Sequence, residues 1–356
     1  MGFRLIYNEN IFSRDELAQT PAENNDPVLS FCRDWLTGQN IFIANTSGST
    51  GPPCEIQLHR QAMKASAAKT LEFFKLKPGN KALLCINPSF IGGKMMLVRA
   101  MERDMIIQVV APSSEPVGLP FPSQDFISLV PLQLYNMLSR EIYDDFLNQA
   151  KAIIVGGGVI SRELSQLCQR LRCPVYSTYG MTETVSHIAL RKINANPVED
   201  TYSVLPGIAI SIKEDGRLII NGDVTNGRDV ITNDIVEIVS KTHFKWLGRK
   251  DNIINSGGIK IQAEQVESKI EKAFVAAGLS LPFFICGVTD KVLGEKIILV
   301  IESDEPDKEK IMGLLKNYLG KYEVPKEVYF TKEFRYTSSQ KPDRRATVLG
   351  LGFSDA

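Results

Sequence analysis

Between residues 41 and 180, short apolar runs alternate with longer stretches of mixed polarity. Strand-like runs fall at 41–45, 82–86, 105–110, 126–130, 152–155 and 175–178. Helix-like stretches at 57–74, 93–103 and 162–171 lie between several of them. This alternation predicts a largely parallel sheet covered by helices. A continuous run such as Ala82-Leu83-Leu84-Cys85-Ile86 fits a strand buried on both faces. Over 185–246 the helical pattern fades. Segments 186–190, 209–213, 217–221 and 235–239 read as short strands between Gly and Asp turns, a small antiparallel β unit. After Arg249 helices return. Val266, Ile270, Phe274 and Ala277 share one helical face, and Ile311, Leu314, Leu315, Tyr318 and Leu319 mark a second amphipathic helix. With strands at 283–288 and 296–302, this predicts a compact α+β domain of about a hundred residues. The expected fold class is α/β: a parallel sheet with helices plus a small β unit, followed by a small α+β domain.

Bulk properties narrow the function classes. A length of 356 residues suggests about two domains. Lys plus Arg and Asp plus Glu both number 41, so charge offers no argument for nucleic acid or an anionic membrane surface. No apolar run approaches membrane-span length, so no membrane insertion is expected. The first ten residues lack the apolar core of a signal peptide. The six cysteines are scattered and the three histidines do not cluster with them. A structural zinc site is not expected, and reduced thiols in the cytoplasm are the simplest reading.

Chemistry enters at Thr46-Ser47-Gly48-Ser49-Thr50-Gly51-Pro52-Pro53. A loop of hydroxyls and unhindered backbone N–H groups can wrap phosphate oxygens. No Lys follows Gly51, which excludes a Walker-type loop. A flexible Gly/Ser linker is the bland alternative. The flanks favour a site, because a strand at 41–44 and a helix over 57–74 would place the loop where anions bind. Tyr179-Gly180-Met181-Thr182-Glu183 follows a strand and joins an aromatic ring, a turn, a hydroxyl and a carboxylate. Ligands bind in such positions in α/β proteins. Gly156-Gly157-Gly158 also follows a strand, and Asn233-Asp234 offers a carboxylate after a turn. A longer run, Gly248-Arg249-Lys250-Asp251 through Gly257-Gly258 to Ile261, sits at the inferred domain boundary, with Glu264 and Glu267 behind it. Ser338-Ser339-Gln340-Lys341 lies near the C-terminus. Each piece alone has an ordinary reading as a turn or a solvated tail.

Taken in order, these segments resemble the adenylate-forming superfamily of acyl-CoA synthetases, adenylation domains and luciferases. The likeness spans 41 to 348. It implies a large ATP- and acid-binding domain (1–247), a hinge (248–251) pivoting at Asp251, and a mobile lid domain (252–356). By the same likeness Thr46, Ser47, Gly48, Ser49, Thr50 and Gly51 meet ATP phosphates. Gly157, Gly158, Tyr179 and Gly180 match the adenine pocket, and Asp234 and Arg249 the ribose contacts. Thr182 matches the α-phosphate contact and Glu183 the Mg²⁺ contact. Lys341 matches the lysine bridging acyl carboxylate and α-phosphate, and Gly258 the residue beside the pantetheine arm of CoA. The implied co-substrates are ATP and CoA, with Mg²⁺.

The chain also departs from the pattern. Cys54 stands where Lys is usual, Gln340 replaces Gly, and Lys260 replaces Arg, which changes geometry though not charge. Phe90 stands where His often lines the acyl pocket. Lys94 and Arg99 interrupt the apolar segment Met95-Met96-Leu97-Val98. A solvated face explains either cation, but Arg99 also aligns with a basic residue of o-succinylbenzoate–CoA ligases of menaquinone synthesis. Their substrate is a small dicarboxylic acid, so one carboxylate reacts while the other needs a cation. The expected substrate contacts are therefore Phe90, Lys94 and Arg99. Other readings are another aryl- or acyl-CoA ligase, an enzyme loading a carrier-protein thiol, and a non-catalytic adenylate-binding protein. The family usually carries a further subdomain ahead of the phosphate loop. The expectation is that the first 45 residues, or a neighbouring subunit in a homodimer, close the acyl pocket, unless it stays incompletely closed.

Overall fold

Apart from 41–45, the apolar runs of the first half lie side by side and point the same way. The computed structural model describes residues 2–45, 55–116, 122–304, 307–336 and 342–353. Strands Arg4–Tyr7, Ile106–Val109, Lys81–Leu84, Phe126–Leu129, Ala152–Val155 and Val175–Gly180 pair in parallel in that order. The unbroken apolarity of the central strand Ala152–Val155 follows from its burial on both faces. Ala82 and Leu84 join one core with helices Pro27–Leu36, Arg60–Phe73 and Ile91–Glu102. Leu83, between them, joins the opposite core with helices Pro131–Leu138 and Arg162–Cys168.

The β unit expected over 185–246 is continuous with this sheet. His187–Lys192 pairs antiparallel with Val175–Gly180, and Tyr202–Val204, His243–Arg249, Val230–Ser240, Arg217–Gly222 and Ile208–Ile212 extend it. Asn10–Phe12 forms the other edge.

One flank of the glycine-rich loop differs from expectation. Glu55–His59 is a strand, and the helix starts only at Arg60. The strand pairs antiparallel with Ile41–Asn45, so residues 46–54 connect two strands of a hairpin rather than a strand and a helix. Ile56 and Leu58 alternate with Glu55, Gln57 and His59, and Leu58 packs inward, a strand's period of two. The loop's candidate phosphate contacts, Thr46, Ser47, Gly48, Ser49, Thr50 and Gly51, lie outside the described residues. So does Lys341.

Beyond Gly248 the chain forms more elements than the two strands and two helices expected. Ile259–Gln262, Ile253–Ser256, Gly294–Glu302, Phe283–Asp290 and Glu327–Thr331 make a second sheet. Helices Ala263–Ala276 and Lys308–Leu315 share one hydrophobic core with it, and Arg344–Gly350 contributes Val348 to another. The extra hairpin arises from Gly257 and Gly258, at φ 59° and 81°, the two positive-φ positions that a tight two-residue turn requires. Among the described residues, no buried cluster combines side chains from before 247 and after 253. No helix among them is long and apolar enough to cross a membrane.

Candidate nucleotide and acid site

The site grows from the end of strand Val175–Gly180. Gly180 is opposite His187, and a Cβ there would lie 2.3 Å from the Ser186 carbonyl oxygen and 2.5 Å from His187 Cα. Only glycine permits this approach. The chain then makes a 3₁₀ turn over Thr182–Thr184, leaving Glu183 exposed and Thr182 half-buried. Val185 follows at φ 65°, and Ser186 N–H donates to the Thr184 carbonyl at 2.7 Å, closing a three-residue turn. A β-branched residue at positive φ is a true outlier, costing on the order of 1–3 kcal/mol. Val185 is held there by burial in the helix-covered core. The turn leaves Glu183 outside while Ser186 faces in.

Helix Ile91–Glu102 connects this turn to the hairpin whose strands flank the glycine-rich loop. Its first turn includes Gly93, where a Cβ would sit 2.6 Å from Asn87 O and Pro88 Cα. Phe90, at its N-cap, is exposed. Lys94 Nζ donates to the Ile43 carbonyl at 2.6 Å, beside the Phe31 ring, and burial lowers its pKa. Arg99 faces another way: its Nη2 donates to Ser186 Oγ at 2.9 Å. Arg99 is 2% exposed and makes no ion pair among the described residues, and its Nε has no partner there. Burial pushes its pKa down to about 9, which leaves it charged at neutral pH. Behind it, His187 Nε2 meets Thr70 Oγ1 at 3.1 Å. Burial, and then the Arg99 charge, hold the imidazole well below its usual pKa, so it is neutral. Arg99 is thus a buried cation with hydrogen-bonding capacity to spare, an arrangement suited to an anion.

On the other side, Tyr179 Oη donates to Asp234 Oδ2 at 2.6 Å, and Trp246 Nε1 donates to Asp234 Oδ1 at 3.1 Å. Burial and then the Asp234 charge hold the Tyr179 phenol well above its usual pKa. Its ring packs edge-on to Phe244, with centroids 5.0 Å apart. Asp234 is in register with Arg249 on the neighbouring strand. Gly156 lies against Thr178, where a Cβ would be 2.5 Å from Oγ1, and Gly157 turns the exposed loop at φ 81°. Asp251 accepts from Asn233 Nδ2 at 3.2 Å and Arg249 Nη2 at 3.3 Å. Gly258 is exposed, and a Cβ there would meet nothing within 4 Å.

Gly157, Gly158, Tyr179, Gly180, Thr182 and Glu183 therefore lie on turns or strand ends at one end of the parallel strands. Asp234 joins Tyr179 through its hydroxyl, and Arg99 joins the motif through Ser186. Ser186, His187 and Trp246 were not singled out from the sequence. No apolar period marks them, and they lie outside the Tyr179–Glu183 motif. No group of three or more metal-ligating side chains gathers among the described residues. The exposed Glu183 carboxylate fits an ion that completes its shell with phosphate oxygens and water.

A sequence model of the AMP-binding enzyme family matches residues 6–227, more than half of the chain. The chain belongs to this family. Among solved structures, this AMP-binding enzyme is similar to the acyl-CoA synthetase (AMP-forming)/AMP-acid ligase II-like protein of Dyadobacter fermentans. The two share 39% identity over 94% of this chain and 97% of that one, with a TM-score of 0.62. The 2-succinylbenzoate–CoA ligase of Bacillus cereus is 26% identical over 367 residues, 94% of this chain and 74% of the relative. The fold is shared with the o-succinylbenzoate CoA synthetase of Bacillus subtilis, solved with its acyl-adenylate intermediate. There the TM-score is 0.73 at 20% identity, over 85% of this chain and 67% of that one.

Proposed function

We propose that this AMP-binding enzyme is an AMP-forming acid–CoA ligase whose acid is 2-succinylbenzoate. The acid's carboxylate attacks the α-phosphorus of ATP, pyrophosphate leaves, and a thiolate of CoA then displaces AMP from the acyl-adenylate. The first step brings two anions together, so it needs positive charge and in-line placement. In this reading Lys341 and Thr182 contact the reacting groups. Glu183 holds Mg²⁺ with phosphate oxygens, and the ion supplies positive charge at the phosphates. Residues 46–51 cradle phosphate, Gly157, Gly158, Tyr179 and Gly180 receive the adenine, and Asp234 and Arg249 the ribose. Residues 1–247 bind ATP and acid. Residues 252–356 turn about the hinge at 248–251 between the two steps, bringing Gly258 to the CoA arm.

The observation that carries the choice of acid is Arg99, a buried guanidinium with no counter-charge among the described residues. A second carboxylate on the substrate satisfies it, while a fatty acid leaves it stranded. Lys94 is the weaker candidate, since its ammonium is bonded to the Ile43 carbonyl. Relatives bearing the 2-succinylbenzoate–CoA ligase name support the same choice.

The test is a panel of acids with purified protein, ATP, Mg²⁺ and CoA, scored by AMP release. Release with 2-succinylbenzoate above that with aryl or alkyl monoacids is expected. Release with a monoacid alone would sink the assignment. Replacing CoA by a carrier protein separates the two acceptor classes. The same reading makes the enzyme cytoplasmic, and light scattering of the purified protein decides between monomer and homodimer.

A further inference from the structure

We propose that Gln262 and Glu264 are positioning residues that clasp the Arg249 peptide and set the resting orientation of the C-terminal unit. The inference rests on the hinged two-step reading above. Gln262 Nε2 donates to the Arg249 carbonyl at 2.8 Å. Glu264 Oε1 accepts from the Arg249 N–H at 3.3 Å. The two side chains also bond each other, Gln262 Nε2 to Glu264 Oε2 at 2.5 Å, and Asn252 Nδ2 donates to Glu264 Oε1. One residue's N–H and C=O are thus both gripped from the start of helix Ala263–Ala276.

The neighbouring residue is shaped for this grip. A Cβ on Gly248 would lie 2.3 Å from Glu264 Oε2 and 2.4 Å from Gln262 Nε2. Gly248 also has φ 147°, a conformation L side chains rarely adopt. Farther along the same helix, Glu271 Oε1 accepts from the Arg162 N–H at 2.7 Å, at the start of helix Arg162–Cys168.

The logic is topological. Arg249 and Arg162 precede the pivot at Asp251, while Gln262, Glu264 and Glu271 follow it. Bonds spanning a pivot cannot all survive rotation about it. They stabilise one orientation and must be broken to reach the other, so they bias the balance between the two. Arg249 N–H to Glu264 is a hydrogen bond to a charged group, the stronger class.

The experiment uses the full chain and measures the two half-reactions separately. ATP–pyrophosphate exchange reports the first, and thioester formation from preformed acyl-adenylate and CoA reports the second. Gln262→Ala, Gln262→Glu and Gly248→Ala are expected to shift the ratio of the two rates in one common direction, by roughly tenfold. Gln262→Glu is expected to act at least as strongly as Gln262→Ala, because it sets a second carboxylate against Glu264 and an acceptor against the Arg249 carbonyl. Equal loss of both rates, or no change in their ratio, would overturn the proposal. A second arm needs no activity. Spin labels on Val159→Cys and Val292→Cys, 78% and 89% exposed in the parent, read the distance between the two units in a background with Cys54→Ser and the half-buried Cys286→Ser. The parent is expected to give one narrow distribution and the Gln262 variants a broader or displaced one. Identical distributions would overturn the clasp, whereas absent exchange in the parent would overturn only the enzymatic reading.

Discussion

The Arg99 guanidinium donates to Ser186 Oγ across 87 residues of sequence, joining helix Ile91–Glu102 to the turn that carries Glu183. Charge and backbone strain meet at this bond. Val185, at φ 65°, turns Ser186 inward, and Ser186 fixes one arm of a cation with no counter-charge among the described residues. Arg99→Met is therefore expected to lower kcat/KM for 2-succinylbenzoate sharply. Truncating one partner of a buried charge pair costs about 2–5 kcal/mol, or about 30- to 5,000-fold. The KM for ATP should stay within a few-fold. Turnover of an analogue lacking the second carboxylate should fall far less. Equal losses on both acids would show that Arg99 only supports the fold.

His187 supplies a pH signature. It is neutral in the folded chain, its pKa held well below the usual value by burial and by Arg99. In the unfolded chain the imidazole takes a proton near its ordinary pKa of about 6.5. Below that pH the unfolded state binds a proton that the folded state does not, so stability falls with pH until the folded pKa is passed. The slope reaches at most about 1.4 kcal/mol per pH unit, and the full contribution is present above about pH 6.5. His187→Gln should flatten the melting temperature between about pH 7 and about pH 5. An unchanged slope in a melting series would assign the acid sensitivity to other groups.

How far the sequence reached is visible in particular residues. Ala152–Val155 was legible because a strand buried on both faces needs an unbroken apolar run. Arg99 was legible as a charge inside an apolar segment. Residues 57–59 read as the start of the following helix because Leu58 runs directly into Ala62 and Met63, and two periods overlap within one short window. Ser186 and His187 stayed hidden because their placement depends on a positive φ at valine, a residue that disfavours it. The bonds of Tyr179 and Trp246 to Asp234 form only once distant strands pair in register.

Trp246 offers a direct test of whether Asp234 receives the ribose. Of the two tryptophans, Trp35 is buried beneath the Arg60 guanidinium, while Trp246 donates to Asp234. If Asp234 accepts ribose hydroxyls, its bond to the indole must change on nucleotide binding. A Trp35→Phe background should show saturable emission change on ATP titration. Asp234→Asn should weaken that binding by roughly tenfold or more, since a hydrogen bond to a charged group is worth about 1.5–3 kcal/mol. Nucleotide bound in equilibrium dialysis with constant emission would place the ribose elsewhere.

Arg344 and Glu267 anchor the start of the last described helix, three residues after Lys341. Arg344 Nη1 lies 2.9 Å from Glu267 Oε1, and its Nη2 donates to Oε2 at 3.0 Å, a two-pronged pairing. The Ile285 N–H donates to Glu267 Oε1 at 2.8 Å, and Arg344 Nη1 donates back to the Ile285 carbonyl at 3.0 Å. Burial raises the Glu267 pKa, and Arg344 works against that rise. Arg344→Ala leaves this half-buried carboxylate without its cation, which costs about 1.5–3 kcal/mol, the worth of a hydrogen bond to a charged group. Arg344→Met with Glu267→Leu removes both charges and should recover most of the loss. Because the pairing holds the segment after Lys341, Arg344→Lys should slow pyrophosphate exchange more than it lowers the melting temperature: it keeps the charge but not the fork. Chemical denaturation of the double-mutant cycle checks the first claim, and a coupling energy near zero would contradict it.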